Sequence, residues 1–127
     1  MEKRNSLISK DLEEKIDRDR VIDIVTTQPK QYQLVLYSIL SLQPNRKNNI
    51  FTGEVYEIYK SLCKKTNTNI LTQRRISDII SEFDMLGIVN AKVISKGRYG
   101  RTRDISLEIP ETTLPKVKNI IEDSINI

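Results

Sequence analysis

Lys96-Gly97-Arg98-Tyr99-Gly100-Arg101-Thr102-Arg103 crowds four cations and a tyrosine into eight residues, with two glycines and no acid. Glycines in a short polar stretch mark a turn, and both flanks alternate as strands do. Val89, Ala91 and Val93 share one face of the first flank, and Ile105, Leu107 and Ile109 share one face of the second. The stretch is therefore expected to form the tip of a β-hairpin whose strands each offer a face to a core and whose tip touches phosphate.

The residues just upstream, Leu71 to Gly87, have the start, stop and period of one amphipathic helix. Thr72 is its cap, Leu71 and Ile76 occupy the two positions of a hydrophobic staple, and Gly87 supplies the stop. Ile76, Ile79, Ile80, Phe83 and Leu86 are expected to point inward. That leaves Arg74, Ser77, Asp78 and Ser81 outward, with Gln73 and Arg75 flanking at the N-terminal end. A helix followed by a basic hairpin is the order of a winged helix-turn-helix. The expected fold is thus α+β: a helical bundle with a two-stranded hairpin wing and extra helices at both ends.

The remaining elements fit that plan. Ser9 can cap a helix from about Lys10 to Thr27 whose apolar stripe thickens only at Val21, Ile24 and Val25, so its first half is expected to project. Gln28-Pro29 ends it. A helix from about Lys30 to Leu42 is apolar nearly all round, as a central core helix should be. Gln43 to Ile50 reads as a polar loop, and Thr52 as the cap of a helix through about Lys65 with Val55, Tyr56, Tyr59, Leu62 and Cys63 inward. The link Thr66-Asn67-Thr68-Asn69 completes the helix-turn-helix. Pro110 closes the second strand, and Thr113 opens a last helix that buries Leu114, Val117, Ile120, Ile121 and Ile125. The expected division is residues 1–28 as a linking helix, 29–110 as the winged-helix domain, and 111–127 as a helix packed on that domain.

Composition limits the chemistry. At 127 residues the chain suits one domain with a core of its own. Its one cysteine, Cys63, excludes an intrachain disulfide and reads as a buried, inert thiol, with a reducing interior as the expected setting. No apolar run approaches the roughly 18 residues that span a bilayer, so a soluble, cytoplasmic protein without a membrane partner is expected. There is no histidine, hence neither the commonest general base nor the commonest zinc ligand. The four glycines never form a phosphate loop. Acid clusters such as Asp11-Glu13-Glu14-Asp17 are interleaved with cations and read as solvated surface. No catalysis, no metal and no cofactor are expected of this chain.

Charge points to a polyanion. The formal net charge is +4, yet residues 60–103 hold ten cations against three acids, while residues 1–31 balance at seven each and residues 104–127 hold two against five. Five cations from Lys92 to Arg103 without an intervening acid would repel one another unless an anion offsets them. A major groove about 12 Å wide admits one helix, whose N-terminal half reaches base edges. Thr72, Gln73, Arg74, Arg75 and Ser77 occupy those places. The wing, with Lys92, Lys96, Gly97, Arg98, Tyr99, Gly100, Arg101 and Arg103, would lie on the neighbouring backbone or dip into a minor groove. Arginines on an exposed helix face are often merely solvated, so the wing carries more of this reading than the helix does.

Four separated blocks, in order, closely resemble the C-terminal winged-helix domain of archaeal origin-recognition initiators, the Orc/Cdc-type AAA+ proteins of DNA replication initiation. They are Thr52-Gly53-Glu54-Val55-Tyr56-Glu57-Ile58-Tyr59, Leu71 to Asp78, Asp84-Met85-Leu86-Gly87-Ile88-Val89-Asn90-Ala91, and the basic stretch from Lys96 to Arg103. Asp17-Arg18-Asp19-Arg20-Val21-Ile22 resembles the family's entry into this domain, and the likeness covers about residues 17 to 109. It implies sequence-preferring binding of double-stranded DNA at replication origins. It also implies a replicative helicase or other initiators as further partners, and an ATPase module, with ATP and magnesium, that this chain does not contain. Met1 is then expected to begin a fragment, or else a short natural paralogue, that is monomeric in solution. Two rivals stay open: a free-standing winged-helix transcription regulator, which should dimerise on a palindrome, and a winged helix used for docking proteins.

Overall fold

Helix α2 (Lys30–Leu42) explains the rest of the architecture, because Gln33 through Leu40 are buried without interruption. A helix covered on every side must be surrounded, and α3 (Thr52–Lys65), α4 (Gln73–Met85) and α5 (Leu114–Ile125) all contribute to the core around it. The computed structural model describes residues 17–43, 50–95 and 101–127, without the side chains of Ser95, Arg101 and Thr102. Helix α1 is described over residues 17–27 and plants Val21 and Val25 in the core, with Ile24 packed against it. The stretch before it, where Ser9 and Lys10 were expected to open the helix, lies outside the described residues.

Several polar side chains lock these helices together. Gln33, 3% exposed, donates from Nε2 to the Val25 carbonyl of α1 at 3.0 Å, and its Oε1 accepts from the Ser124 hydroxyl of α5 at 2.7 Å. One amide thus joins three helices. Tyr37 donates to a Glu122 carboxylate oxygen at 2.9 Å along the same α2–α5 seam.

The sheet departs from the expected two-stranded wing. Strands β2 (Val89–Ser95) and β3 (Arg101–Leu107) pair antiparallel, with Val89 opposite Leu107 and Ser95 opposite Arg101. The other edge of β3 takes a short strand, β1 (Ile50–Phe51), which pairs Ile50 with Ile105 and Phe51 with Asp104, so the sheet order is β1-β3-β2. Ile50, assigned to a polar loop by sequence, is 2% exposed. Burial of its side chain and the pairing capacity of a free strand edge draw it into the sheet. Residues 44–49 of that loop lie outside the described residues.

Pairing also displaces the cap expected at Thr52. Phe51 keeps extended dihedrals (φ −109°, ψ 154°), so Thr52 becomes the first helical residue, buried at 5% exposure, and the Phe51 N–H is met by Glu54 Oε1 at 3.3 Å. Two apolar faces were also over-extended. Val89 and Ala91 are buried but Val93 is 55% exposed, because β2 runs past the helices into the wing. Strand β3 ends at Leu107; Ile109 is buried beyond it, after Glu108 donates its N–H to the Ile88 carbonyl at 2.9 Å.

Candidate nucleic-acid interface

Helix α4 is built by the local code read from its sequence. The Thr72 hydroxyl accepts the Arg75 N–H at 3.3 Å, and Leu71 packs on the cluster that holds Ile76. Ile76, Ile79, Ile80 and Phe83 are each at most 1% exposed. At the far end Gly87 adopts φ +78°, which lets the Ile88 N–H reach the Phe83 carbonyl at 2.9 Å and the Gly87 N–H reach the Asp84 carbonyl at 3.0 Å. Leu86 was expected inside, yet it is 37% exposed. It follows the last helical turn, so the 3.6-residue period no longer governs it, and its carbonyl accepts from Arg20 Nη1 of α1 at 3.0 Å.

The face left outward is the one expected. Thr72, Gln73, Arg74, Arg75 and Asp78 are exposed, and Ser77 and Ser81 are half-exposed. Ser81 turns its hydroxyl onto the Ser77 carbonyl at 3.2 Å, so it offers less to a ligand than its position suggests. Neither ion pair among the described residues, Arg18–Asp19 or Glu57–Lys60, engages Arg74 or Arg75, although Asp78 lies one helical turn on from both. Beside them the first-turn N–H groups of α4 have no acceptor within the helix, and the positive end of its dipole points the same way.

The described part of the wing shows a division that a charge count hides. Lys92 stands directly across from Asp104, and Arg103 across from Val93. Alternation therefore sends Lys92 and Arg103 to opposite faces of the ribbon, and Lys92, which is exposed, has an acid as its cross-strand neighbour. Arg101 lies in β3 opposite Ser95. Lys96, Gly97, Arg98, Tyr99 and Gly100 lie outside the described residues.

Sequence reasoning missed the residues that hold α4 at its N-terminal end. Tyr59 of α3 accepts the Leu71 N–H at 3.0 Å and donates to Gln31 Oε1 at 2.5 Å, while Gln31 Nε2 donates to the Asn69 carbonyl at 2.8 Å. Tyr56, stacked on Tyr59 with ring centroids 6.0 Å apart, donates to the Leu71 carbonyl at 2.9 Å. Burial is the main force that pushes the Tyr59 hydroxyl up to about 12, so it stays a donor throughout the neutral range. Burial likewise raises the Cys63 thiol, as befits an inert core cysteine. Among the described residues no group of acids and cysteines could hold a metal ion, and no helix is long and apolar enough to cross a membrane.

Residues 23–117 match the family model described as the CDC6 C-terminal winged-helix domain. The chain belongs to that family. It is 59% identical over 98 residues to ORC1-type DNA replication protein 7 of Halobacterium salinarum, covering 77% of this chain and 19% of that protein. It is 52% identical over 113 residues to ORC1-type DNA replication protein 1 of Methanosarcina acetivorans, covering 87% and 27%. The chain thus spans about a fifth to just over a quarter of the length of these relatives. Among solved structures, the Aeropyrum pernix ORC1 protein in complex with DNA superposes with a TM-score of 0.76 at 44% identity, over 86% of this chain and 28% of that one. Cdc6p of Pyrobaculum aerophilum, at TM-score 0.62 and 19% identity over 82% and 25%, shares the fold.

Proposed function

We propose that this chain binds duplex DNA at replication origins with a preference for sequence, as the winged-helix part of an archaeal initiator, and that it is not itself an enzyme. The observation that carries the reading is the N-terminal half of α4: Gln73, Arg74 and Arg75 stand exposed at the positive end of a packed helix. Arginine can meet guanine, and glutamine adenine, through paired hydrogen bonds in the major groove. Arg103 and the basic stretch that precedes it would hold the adjacent backbone or minor groove. The Aeropyrum pernix relative supports this, since that protein was solved with DNA. A helicase or a second initiator as partner, and ATP with magnesium on an AAA+ module, belong to the proposal for the whole protein.

Titration of a duplex at several salt concentrations tests the reading. If about four to six phosphates are neutralised, log K should fall against log salt with a slope of about −4 to −5. A slope near zero would remove DNA as the ligand of this face. Selection from a randomised duplex pool then separates preference from plain phosphate affinity: recovery of a shared motif is expected, and recovery of none would reduce α4 to a phosphate clamp.

A further inference from the structure

The turn that delivers α4 to a ligand is held by side chains that stand behind it. Both backbone groups of Leu71, the residue just before the Thr72 cap, are bound by the stacked pair Tyr56 and Tyr59, and the carbonyl of Asn69 is bound by Gln31. Tyr59 and Gln31 also bind one another, so α2, α3 and the turn close into one hydrogen-bonded ring. At the start of this turn Asn67 has φ 52° and Thr68 donates its N–H to the Cys63 carbonyl at 2.9 Å. From there to Thr72 the chain is exposed or half-exposed at every residue, and its course is set by the ring.

Resting on the DNA-binding reading above, we propose that the Tyr59 hydroxyl, with Gln31 as its partner, is a positioning device for DNA recognition: it fixes where α4 begins and hence where Gln73, Arg74 and Arg75 meet the bases. Tyr59 is fully buried behind the turn. It acts through Leu71 and Thr72. A base-reading arginine works only within a few tenths of an ångström and some tens of degrees of its partner. A single hydroxyl that seats the helix start therefore governs all three side chains together, while the wing, carried by β2 and β3, does not depend on it.

Tyr59→Phe tests this, since it keeps the ring and its packing and removes only the oxygen. On a 30-base-pair duplex carrying the motif recovered from the randomised pool, at fixed salt, Tyr59→Phe should weaken binding by about tenfold, which is about 1.4 kcal/mol. The deciding measurement is a pair of double-mutant cycles. Arg74→Ala should cost clearly less in the Tyr59→Phe background than in the wild type, because the arginine has already lost its place. Arg103→Ala, on the wing, should cost the same in both backgrounds. Gln31→Leu breaks the ring from the half-exposed side and should reproduce the pattern if Tyr59→Phe folds poorly. Unchanged affinity in Tyr59→Phe, or equal costs of Arg74→Ala in both backgrounds, overturns the proposal alone. A wild type that binds no duplex, or in which Arg74→Ala costs nothing, overturns the DNA-reading role of α4 and the proposal with it.

Discussion

Three helices of this chain end on the same device, and this allows the cost of disturbing the helix–wing junction to be worked out. After α3, α4 and α5 a residue with positive φ, respectively Asn67 (52°), Gly87 (78°) and Asn126 (62°), turns the chain. The next N–H then bonds back five residues: Thr68 to Cys63 at 2.9 Å, Ile88 to Phe83 at 2.9 Å, and Ile127 to Glu122 at 3.0 Å. A Cβ added at Gly87 would meet Arg20 Nη2 at 3.4 Å, the end of a long exposed side chain that can move aside. Sterics with neighbours therefore contribute little, and the left-handed backbone dominates, at roughly 1–2 kcal/mol for alanine. Part of this is offset because alanine also has less freedom than glycine in the unfolded chain, an effect of about 0.4–1 kcal/mol. Gly87→Ala should thus lose about 1 kcal/mol, or about 3–6 °C in Tm for a domain of this size. Gly87→Asn should lose less than half of that, since asparagine already serves at positions 67 and 126, and Asn67→Ala should behave like Gly87→Ala. Urea and thermal unfolding of the full chain would measure all three. If Gly87→Ala equals the wild type, or Gly87→Asn costs as much as Gly87→Ala, then backbone handedness does not govern this junction and the reasoning fails.

Two further outcomes follow from other parts of the molecule. Gln33→Leu keeps the volume but removes the amide's bond to the Val25 carbonyl, which then keeps only a long bond from the Gln28 N–H at 3.4 Å, and the bond from Ser124; the two lost bonds should cost about 1 kcal/mol each, so denaturant melts should show a loss of about 2 kcal/mol, and a loss below about 0.5 would refute the three-helix role of this amide. For pH, the Tyr59 hydroxyl lies above its unfolded value of 10.0, at about 12, so the unfolded chain ionises first. Its contribution is fully present below pH 10 and lost between about 10 and 12, worth about 2–3 kcal/mol from two pKa steps. Tyr32 and Tyr37 are shifted the same way, by the Glu82 hydrogen bond first for the former and by burial first for the latter. Stability curves from pH 8 to 12 should therefore fall more steeply for the wild type than for Tyr59→Phe, and parallel curves would contradict the assignment.

What was legible in the sequence follows from how far each determinant reaches along the chain. Helix α4 could be read because its cap, staple and stop lie within the seventeen residues from Leu71 to Gly87, and each acts on a backbone group a few residues away. The outward face was legible for a related reason, because unpaired arginines are too costly to bury and so must face solvent. Strand β1 was not legible: two residues carry no period, and Ile50 becomes a strand only because β3 offers it an edge 55 positions later, as the Ile50–Ile105 pairing shows. That late pairing also moved the start of α3 off Thr52, for a cap can be placed only once the end of the preceding strand is known. The cross-strand neighbour of Lys92 was beyond reach in the same way, since Asp104 lies outside a count that stops at Arg103 yet stands across from Lys92. The positioning residues were the hardest to see. Gln31 reaches Asn69 across 38 residues and Arg20 reaches Leu86 across 66, and nothing in the local sequence distinguishes a tyrosine that packs from one whose hydroxyl seats a helix. The groups that would touch a ligand are therefore written locally, because their placement answers to desolvation. The groups that aim them are written in tertiary contacts, and Tyr59→Phe probes that second layer without changing any charge on the first.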